Sequence, residues 1–266
     1  MLSNLHTHSA FCDGVNTPEE IVKSAVERGF SSVGFSGHGY TDFDLRYCMK
    51  NTDGYIAEIR RLREEYKNKI QVYLGIEEDA FCHVNRADFD YIIGSSHYFN
   101  IGDKYYPIDS DYDYFKECLK VYGGDIHTLA NDYYSRFCDY INKRKPDIIG
   151  HFDLITKFDE LDKSLFLEDK GYIQISEKYL KQALKADVLF EVNTGAISRG
   201  YRTTPYPNEN LLHLIKKEGG RVILSSDSHS ADTLDFGFSD AKKLLKDIGF
   251  EFVYTLYNNE FVKDYI

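Results

Sequence analysis

The segment RVILSSDSH, from Arg221 to His229, joins an apolar run to a polar ending. Its first part, Val222 to Leu224, is continuously apolar, which is typical of a strand covered on both faces in a parallel sheet. Its second part places Asp227 and His229 directly after that strand. The segment therefore predicts a buried parallel sheet with functional side chains at the carboxyl ends of its strands.

Six further segments repeat this order of a short apolar run and a polar ending. The seven predicted strands cover residues 2–6, 32–36, 70–76, 90–95, 147–151, 188–192 and 221–226. Amphipathic helical patterns lie between them, and the first helix begins with a capping box of Thr17 and Glu20 around Pro18. Seven strand–helix units predict an α/β fold, with a closed or nearly closed barrel favoured over a doubly wound open sheet.

The remaining helical patterns are read from apolar residues that recur on one face. A second helix carries Tyr55, Ile59, Leu62 and Tyr66 on one side, and further helices fit residues 127–144, 173–186, 209–218 and 239–248. Residues 97–125 are less regular, so we expect a long loop that contains a helix. No linker divides the chain, which favours a single domain over residues 1–266.

The composition is that of an ordinary globular protein, with 266 residues, 42% hydrophobic residues and a formal net charge of −11. No block of Lys or Arg appears, so a nucleic-acid partner is not expected. No apolar run is long enough for a membrane span, and polar groups from His6 onward are unlike a signal peptide. Five cysteines without a Cys-x-x-Cys pair favour reduced thiols and a cytoplasmic location. The oligomeric state is left open.

Histidines and carboxylates follow most of the predicted strands. A barrel places the carboxyl ends of its strands on one rim, so these side chains are expected to converge. They suit zinc, iron or manganese, and the set is too large for one ion of about four ligands. The sequence therefore predicts two or three divalent metal ions. The candidate ligands are His6, His8, Asp13, His38, Glu77, His97, His151, Asp227 and His229.

Other polar residues near these strands are given different roles. Glu78 is the rival of Glu77 as a ligand, and Glu77 is preferred because it comes first after the strand. Asp79 is expected to support the ligands from behind. Three histidines fall outside the pattern and are expected to be structural or exposed: His83, His127 and His213.

A group that binds an anion should accompany such metals. Arg199 lies in the loop after the sixth strand and is the first choice, because a guanidinium group binds phosphate oxygens in a bidentate manner. Arg202 and Lys157 are further candidates in nearby loops. No Walker A motif and no dinucleotide fingerprint is present.

Taken together, these motifs resemble the PHP (polymerase and histidinol phosphatase) superfamily over nearly the whole chain. They are His6-x-His8 with Asp13-Gly14, Ser36-Gly37-His38, Gly75-Ile76-Glu77, Gly94-Ser95-Ser96-His97, Gly150-His151 and Ser226-Asp227-Ser228-His229. The resemblance is strongest to the stand-alone histidinol-phosphate phosphatase type. The segment from Asp44 to Met49 and the basic residue that follows Gly150-His151-Phe152-Asp153-Leu154 point there.

The resemblance implies a distorted (β/α)7 barrel of the PHP type with a trinuclear metal centre. Carried over by position, it implies one metal on His6, His8, Glu77 and Asp227. It implies a second, bridged by Glu77, on His97 and His151, and a third on Asp13, His38 and His229. Some branches of the superfamily have a His at the position of Asp13, so the third site can differ in metal or occupancy.

The implied reaction is hydrolysis of L-histidinol phosphate to L-histidinol and phosphate, in histidine biosynthesis. Metals lower the pKa of bound water from about 15.7 toward about 7, so a metal-bridging hydroxide is the expected nucleophile. Asp227 is expected to orient or deprotonate the water, and Arg199 to stabilise the developing charge. The acid that protonates the leaving group is left open between His229 and a metal-bound water. Contacts to the rest of the substrate are expected from Asp42, Asp44, Tyr47 and Phe99.

Three other functions remain open. The first is a PHP phosphoesterase for another small-molecule phosphomonoester, such as phosphotyrosine or a sugar phosphate. The second is a non-catalytic metal-binding module. The third is a deaminase related to the amidohydrolases, which also places His and Asp ligands at a barrel rim.

Overall fold

Eleven strands and eight α-helices form the fold in a computed structural model that describes residues 1–266. The strands are β1 (Ser3–Asn4), β2 (Ser32–Phe35), β3 (Gln71–Asp79), β4 (Tyr91–Ser95), β5 (Tyr98–Ile101), β6 (Lys104–Pro107), β7 (Ile148–Ile149), β8 (Leu189–Asn193), β9 (Arg221–Ser225), β10 (Phe252–Tyr257) and β11 (Glu260–Tyr265). The helices are α1 (Pro18–Glu27), α2 (Thr52–Tyr66), α3 (Tyr112–Val121), α4 (Ile126–Arg144), α5 (Lys170–Ala183), α6 (Gly195–Ser198), α7 (Glu209–Lys217) and α8 (Phe238–Ile248).

The main sheet is parallel from β1 to β10 and has the order β1-β2-β3-β4-β7-β8-β9-β10-β11. It curls until its first strand meets its seventh. Thr7 and Ser228 form a parallel bridge, and the N–H group of His8 donates to the carbonyl of Ser228 at 2.8 Å. The seven predicted strands therefore form the expected distorted (β/α)7 barrel.

The barrel interior is filled by a small cluster with side chains from nearly every strand. Its members are Leu5, Tyr73, Tyr91, Ile93, Ile148, Leu189, Ile223 and Leu256. Two larger clusters lie between the sheet and the surrounding helices. Because apolar groups occupy both faces, the strand sequences are mostly apolar runs, and most polar side chains lie near the carboxyl ends of the strands.

A hairpin of β10 and β11 was not predicted. At the amino end of the barrel, β10 pairs with β9 between Tyr254 and Ile223, and the hydroxyl of Ser32 donates to the carbonyl of Leu256 at 3.1 Å. The turn consists of Asn258 and Asn259, both with positive φ (51° and 62°), as two-residue hairpin turns require. This pair of asparagines between two aromatic runs was the available signal.

The predicted helices are present with small shifts at their ends. Thr17 and Glu20 form the capping box of α1, and α2 buries the predicted face. The helix expected within residues 97–125 is present as α3, but the expected loop is corrected, because β5 and β6 form an antiparallel hairpin ahead of α3. Gly102, with φ of 63°, provides its turn. No helix is long and apolar enough to cross a membrane.

Candidate metal centre

The nine candidate ligands converge at the carboxyl ends of the barrel strands. Six of them are buried: His6, His8, Glu77, His97, His151 and Asp227. The other three are partly exposed where a cavity opens: Asp13, His38 and His229. Groups spread over more than two hundred positions of sequence meet here because parallel strands end on the same rim.

Glu77, on β3, lies at the middle of the cluster, and its two oxygen atoms face different histidines. Its Oε1 is 3.1 Å from Nε2 of His151 and 3.3 Å from Nε2 of His97. Its Oε2 is 3.3 Å from Nε2 of His6 and 3.5 Å from Nε2 of His8. One carboxylate thus adjoins two separate pairs of imidazoles, which is the arrangement that a bridging ligand requires.

Asp227 completes the group around His6 and His8. Its Oδ1 is 3.1 Å from Nε2 of His8 and 3.6 Å from Nε2 of His6. It follows β9 with a positive φ of 48°, a conformation that Asp tolerates better than most residues. The turn after β9 therefore brings this carboxylate next to the end of β1.

A third group surrounds Asp13, on the loop between β1 and α1. Its Oδ2 is 3.2 Å from Nε2 of His229 and 3.6 Å from Nε2 of His38, and its Oδ1 is 3.4 Å from Nδ1 of His8. His38 also places Nδ1 at 2.9 Å from Glu77. This group therefore adjoins both of the others.

Several polar atoms of the cluster are buried without a hydrogen-bond partner. They are Nε2 of His6, Nε2 of His8, Oδ1 of Asp13, Oε2 of Glu77 and Nδ1 of His151. Burying such atoms unpaired is costly, so proteins rarely do it without a reason. Imidazole nitrogens and carboxylate oxygens directed at common points fit divalent metal ions.

The charges of the cluster favour ionised carboxylates. Burial by itself raises the pKa of Glu77, but the positive charges of His6 and His38 outweigh it and hold the pKa well below its usual range. Burial acts in the same direction on Asp227, where Arg199 and His6 lower the pKa. Both acids therefore remain negative at neutral pH, as metal ligands must.

Other side chains hold the candidate ligands from behind. Glu191, on β8, places Oε1 at 2.6 Å from Nδ1 of His6 and accepts from the N–H group of His151 at 2.9 Å. Asp79 lies 3.2 Å from Nδ1 of His97. Glu191 was not singled out from the sequence, although a carboxylate within a buried strand was a usable signal.

The remaining polar candidates lie elsewhere. Glu78 is buried on the opposite side of β3, where it pairs with Arg144 at 2.6 Å and with Tyr140 at 2.9 Å. Its orientation follows from the alternation of side chains along a strand. Three histidines have side chains that are about half exposed: His83, His127 and His213.

A cavity of about 310 Å³ opens above the ligands. Arg199 lines it and donates to the carbonyl of Asp227 at 2.8 Å and to Oδ2 of Asp227 at 3.0 Å. Lys157 also lines it and donates from Nζ to the carbonyl of Asp109. Burial lowers the pKa of Lys157, and the neighbouring charge of Arg199 adds to this, whereas Asp109 opposes it.

Three of the predicted substrate contacts line this cavity, namely Arg199, Lys157 and Tyr47. The other four expectations are corrected, because their side chains are engaged elsewhere or face solvent. Arg202 is buried with its guanidinium 4.4 Å above the ring of Tyr206, and Phe99 is fully buried in the core. Asp44 pairs with Arg46 at 2.7 Å, and Asp42 is exposed outside the cavity.

The cavity residues that were not predicted from the sequence include Tyr98, Asp109 and Tyr201. Tyr98 begins the unpredicted hairpin, and Asp109 follows that hairpin, so neither stood at a predicted strand end. Burial by itself raises the pKa of Asp109, but the charges of Lys157 and His97 lower it below its usual range. The cavity thus contains an ionised carboxylate beside its cations.

Comparison with known proteins gives consistent matches. A "Probable histidinol-phosphatase" of Schizosaccharomyces pombe is 28% identical, over 92% of this chain and 86% of its own length. A "Histidinol-phosphatase" of Bacillus subtilis is 24% identical, over 88% and 95%. The crystal structure of a Lactococcus lactis histidinol phosphate phosphatase, complexed with zinc, L-histidinol and phosphate, has a TM-score of 0.71 at 22% identity. The structural alignment covers 98% of this chain and 99% of the Lactococcus lactis chain, and this similarity supports the fold.

The family model described as "PHP domain" matches residues 4–195. The matched region contains seven of the nine candidate ligands, and the structure brings the other two, Asp227 and His229, to the same cluster. The chain therefore belongs to the PHP domain family.

Proposed function

We propose that this protein hydrolyses L-histidinol phosphate to L-histidinol and phosphate, as an enzyme of histidine biosynthesis. The observation that carries the proposal is the division of the Glu77 carboxylate between two pairs of imidazoles beneath a cavity that contains Arg199. Relatives of similar length are named histidinol-phosphatase, and a structural neighbour was solved with L-histidinol and phosphate.

The proposal assigns the ligands to three metal positions, for zinc, iron or manganese. His6, His8, Glu77 and Asp227 would hold the first, Glu77 with His97 and His151 the second, and Asp13, His38 and His229 the third. When bound, such ions would offset the charge of the phosphate group and make hydroxide available near neutral pH.

The cations of the cavity bind the phosphate group. Arg199 is fixed by its two hydrogen bonds to Asp227, so its guanidinium is already oriented when a non-bridging oxygen arrives. Lys157 is fixed by the carbonyl of Asp109 and adds a second positive charge. Groups held in place before reaction stabilise the developing charge without further reorganisation.

Proton transfers complete the reaction. Asp227 orients the attacking water and accepts its proton as the new bond to phosphorus forms. As the ester bond breaks, the alkoxide oxygen takes up a proton from a water molecule in the cavity or from Nδ1 of His229, because Nε2 of His229 faces Asp13 as a metal ligand. This proton balances the one that Asp227 accepts. Both side chains line the same cavity, so the protons move over short distances. No serine or cysteine nucleophile takes part.

The test is a comparison of kcat/KM for histidinol phosphate, phosphotyrosine and a sugar phosphate, with and without a chelator. We expect the highest value for histidinol phosphate and its loss on metal removal. A higher kcat/KM for another ester would show that histidinol phosphate is not the preferred substrate, but phosphatase activity would still be supported. Bound metals without turnover of any ester would indicate a non-catalytic module, and release of ammonia would indicate a deaminase.

A further inference from the structure

Asp109 is the one carboxylate of the cavity wall without a hydrogen-bond donor. The other four acidic residues that line the cavity, Asp13, Glu77, Asp79 and Asp227, lie within 3.2 Å of a histidine or arginine nitrogen. The nearest cation to Asp109 is Nζ of Lys157, at 3.8 Å from Oδ2, which is too long for a hydrogen bond.

Lys157 forms its hydrogen bond with the backbone of Asp109 and not with the carboxylate of that residue. Its Nζ donates to the backbone carbonyl of Asp109, and it lies 4.3 Å above the ring of Tyr201. The Asp109 side chain is 29% exposed, toward the cavity that it lines. The cavity therefore contains a cation that is already positioned and a carboxylate whose acceptor sites are open to a ligand.

We propose that Asp109 binds the ammonium group of the substrate and makes the enzyme selective for phosphate esters of amino alcohols. This inference rests on the proposed function and names the residue that recognises the ammonium group, which the substrate carries on the carbon next to its ester carbon. The phosphate group is attracted to Arg199 and Lys157, so Asp109 supplies the complementary negative charge. Tyr98, Pro107 and Leu154 line the same cavity, and their apolar surface lowers the local dielectric constant, which strengthens a contact between opposite charges.

A different role for Asp109 would be to hold Lys157 in place. The two roles differ in their dependence on the substrate. Loss of a contact to ammonium affects only substrates that carry an amine, whereas misplacement of Lys157 affects the binding of phosphate in every substrate. A cycle of two enzymes and two substrates separates them, because it isolates the interaction between the carboxylate and the amine.

The experiment compares the wild type with Asp109→Asn on histidinol phosphate and on its deaminated analogue, imidazolylpropyl phosphate. Asp103→Asn is the matched control, because Asp103 is exposed in the turn of the neighbouring hairpin. We expect the wild type and the control to prefer the amine by about 10- to 100-fold in kcat/KM, as paired charges in a partly buried site do. Asp109→Asn should remove most of that preference, so its kcat/KM should fall much more on histidinol phosphate than on the analogue.

Two results would overturn the inference: an equal loss on both substrates, or an undiminished preference in Asp109→Asn. Thermal unfolding checks that the variant is folded, and Asp109→Ser serves if it is not. The same comparison can be made with ethanolamine phosphate, which carries an amine, and ethyl phosphate, which does not. Neither compound contains an imidazole, so this pair tests recognition of the amine alone. If the wild type cleaves only this second pair, the proposed substrate fails, while the role of Asp109 is still decided by the preference for the amine.

Discussion

Nδ1 of His6 lies 2.6 Å from Oε1 of Glu191, and both side chains are fully buried. The contact fixes which imidazole nitrogen carries the proton: Nδ1 donates to the carboxylate, and Nε2 is left with a free lone pair. That Nε2 has no hydrogen-bond partner and faces Glu77 and Asp227. Glu191 therefore prepares His6 to act as a metal ligand without being a ligand itself.

Replacing Glu191 by Gln should weaken metal binding. The variant keeps the shape of the side chain but loses the charge that orients His6, and such partners typically contribute about 10- to 100-fold to metal affinity. The measurement is a competition titration of zinc against a chelator of known affinity. Glu260→Gln, at an exposed position of β11, should retain the wild-type affinity. Equal affinities in all three proteins would remove Glu191 from this role.

Removing the metals should lower stability as well as activity. Five buried polar atoms of the cluster have no partner within the protein, so ions that pair with them bind the folded state selectively. Free metal at a hundred times its Kd stabilises a protein by about 2.7 kcal/mol. Thermal unfolding of stripped and reloaded protein should show a higher Tm with metal and a parallel return of phosphatase activity. An unchanged Tm would contradict the fit of the cluster to cations.

Arg199→Ala should slow the chemical step. Arg199 is preorganised against Asp227, and loss of one such stabilising donor typically lowers kcat by about 10²- to 10³-fold. Steady-state kinetics on histidinol phosphate provide the test, with Arg60→Ala as a control on the exposed side of α2. A kcat within twofold of the wild type would exclude Arg199 from transition-state stabilisation.

Asp159→Asn should reduce the pH dependence of stability. Burial raises the pKa of Asp159 to about 7, above its unfolded value of about 3.9. The folded state therefore holds this proton more tightly. The associated stability is fully present below about pH 4 and is lost as pH rises through about 7.

Urea unfolding at pH 5 and pH 8 tests this expectation. The free energy of unfolding should fall less between the two pH values in Asp159→Asn than in the wild type. Asp247→Asn, at an exposed position of α8, should behave as the wild type does. An identical fall in all three proteins would show that Asp159 does not titrate in this range.

The strand ends were predictable because barrel geometry leaves them little freedom. A buried parallel strand must be apolar, so a polar residue at its end lies on the rim, and this rule gave all nine members of the cluster. The rule says nothing about Glu191, which lies within a strand and is recognised only once the register places it beside His6.

The cavity wall was less predictable because it comes from irregular segments. Tyr98 lines the cavity and Phe99 is buried in the core, since neighbours on a strand face opposite sides, and the hairpin that contains them was missed. Arg199 and Arg202 lie three positions apart in one loop, yet one lines the cavity and the other stacks on Tyr206. Such differences depend on packing between segments that are distant in sequence.

The bridge between Thr7 and Ser228 has a consequence for synthesis of the chain. A ribosome releases the residues of β1 first, but their partners on the closing side of the ring emerge only after residue 228. A nascent chain that has folded its first six barrel strands still has an open ring. Asp227, which contacts His6 and His8 in the complete barrel, has not yet been added. The ligand groups that need Asp227 and His229 are therefore incomplete until the residues that follow β9 have been synthesised.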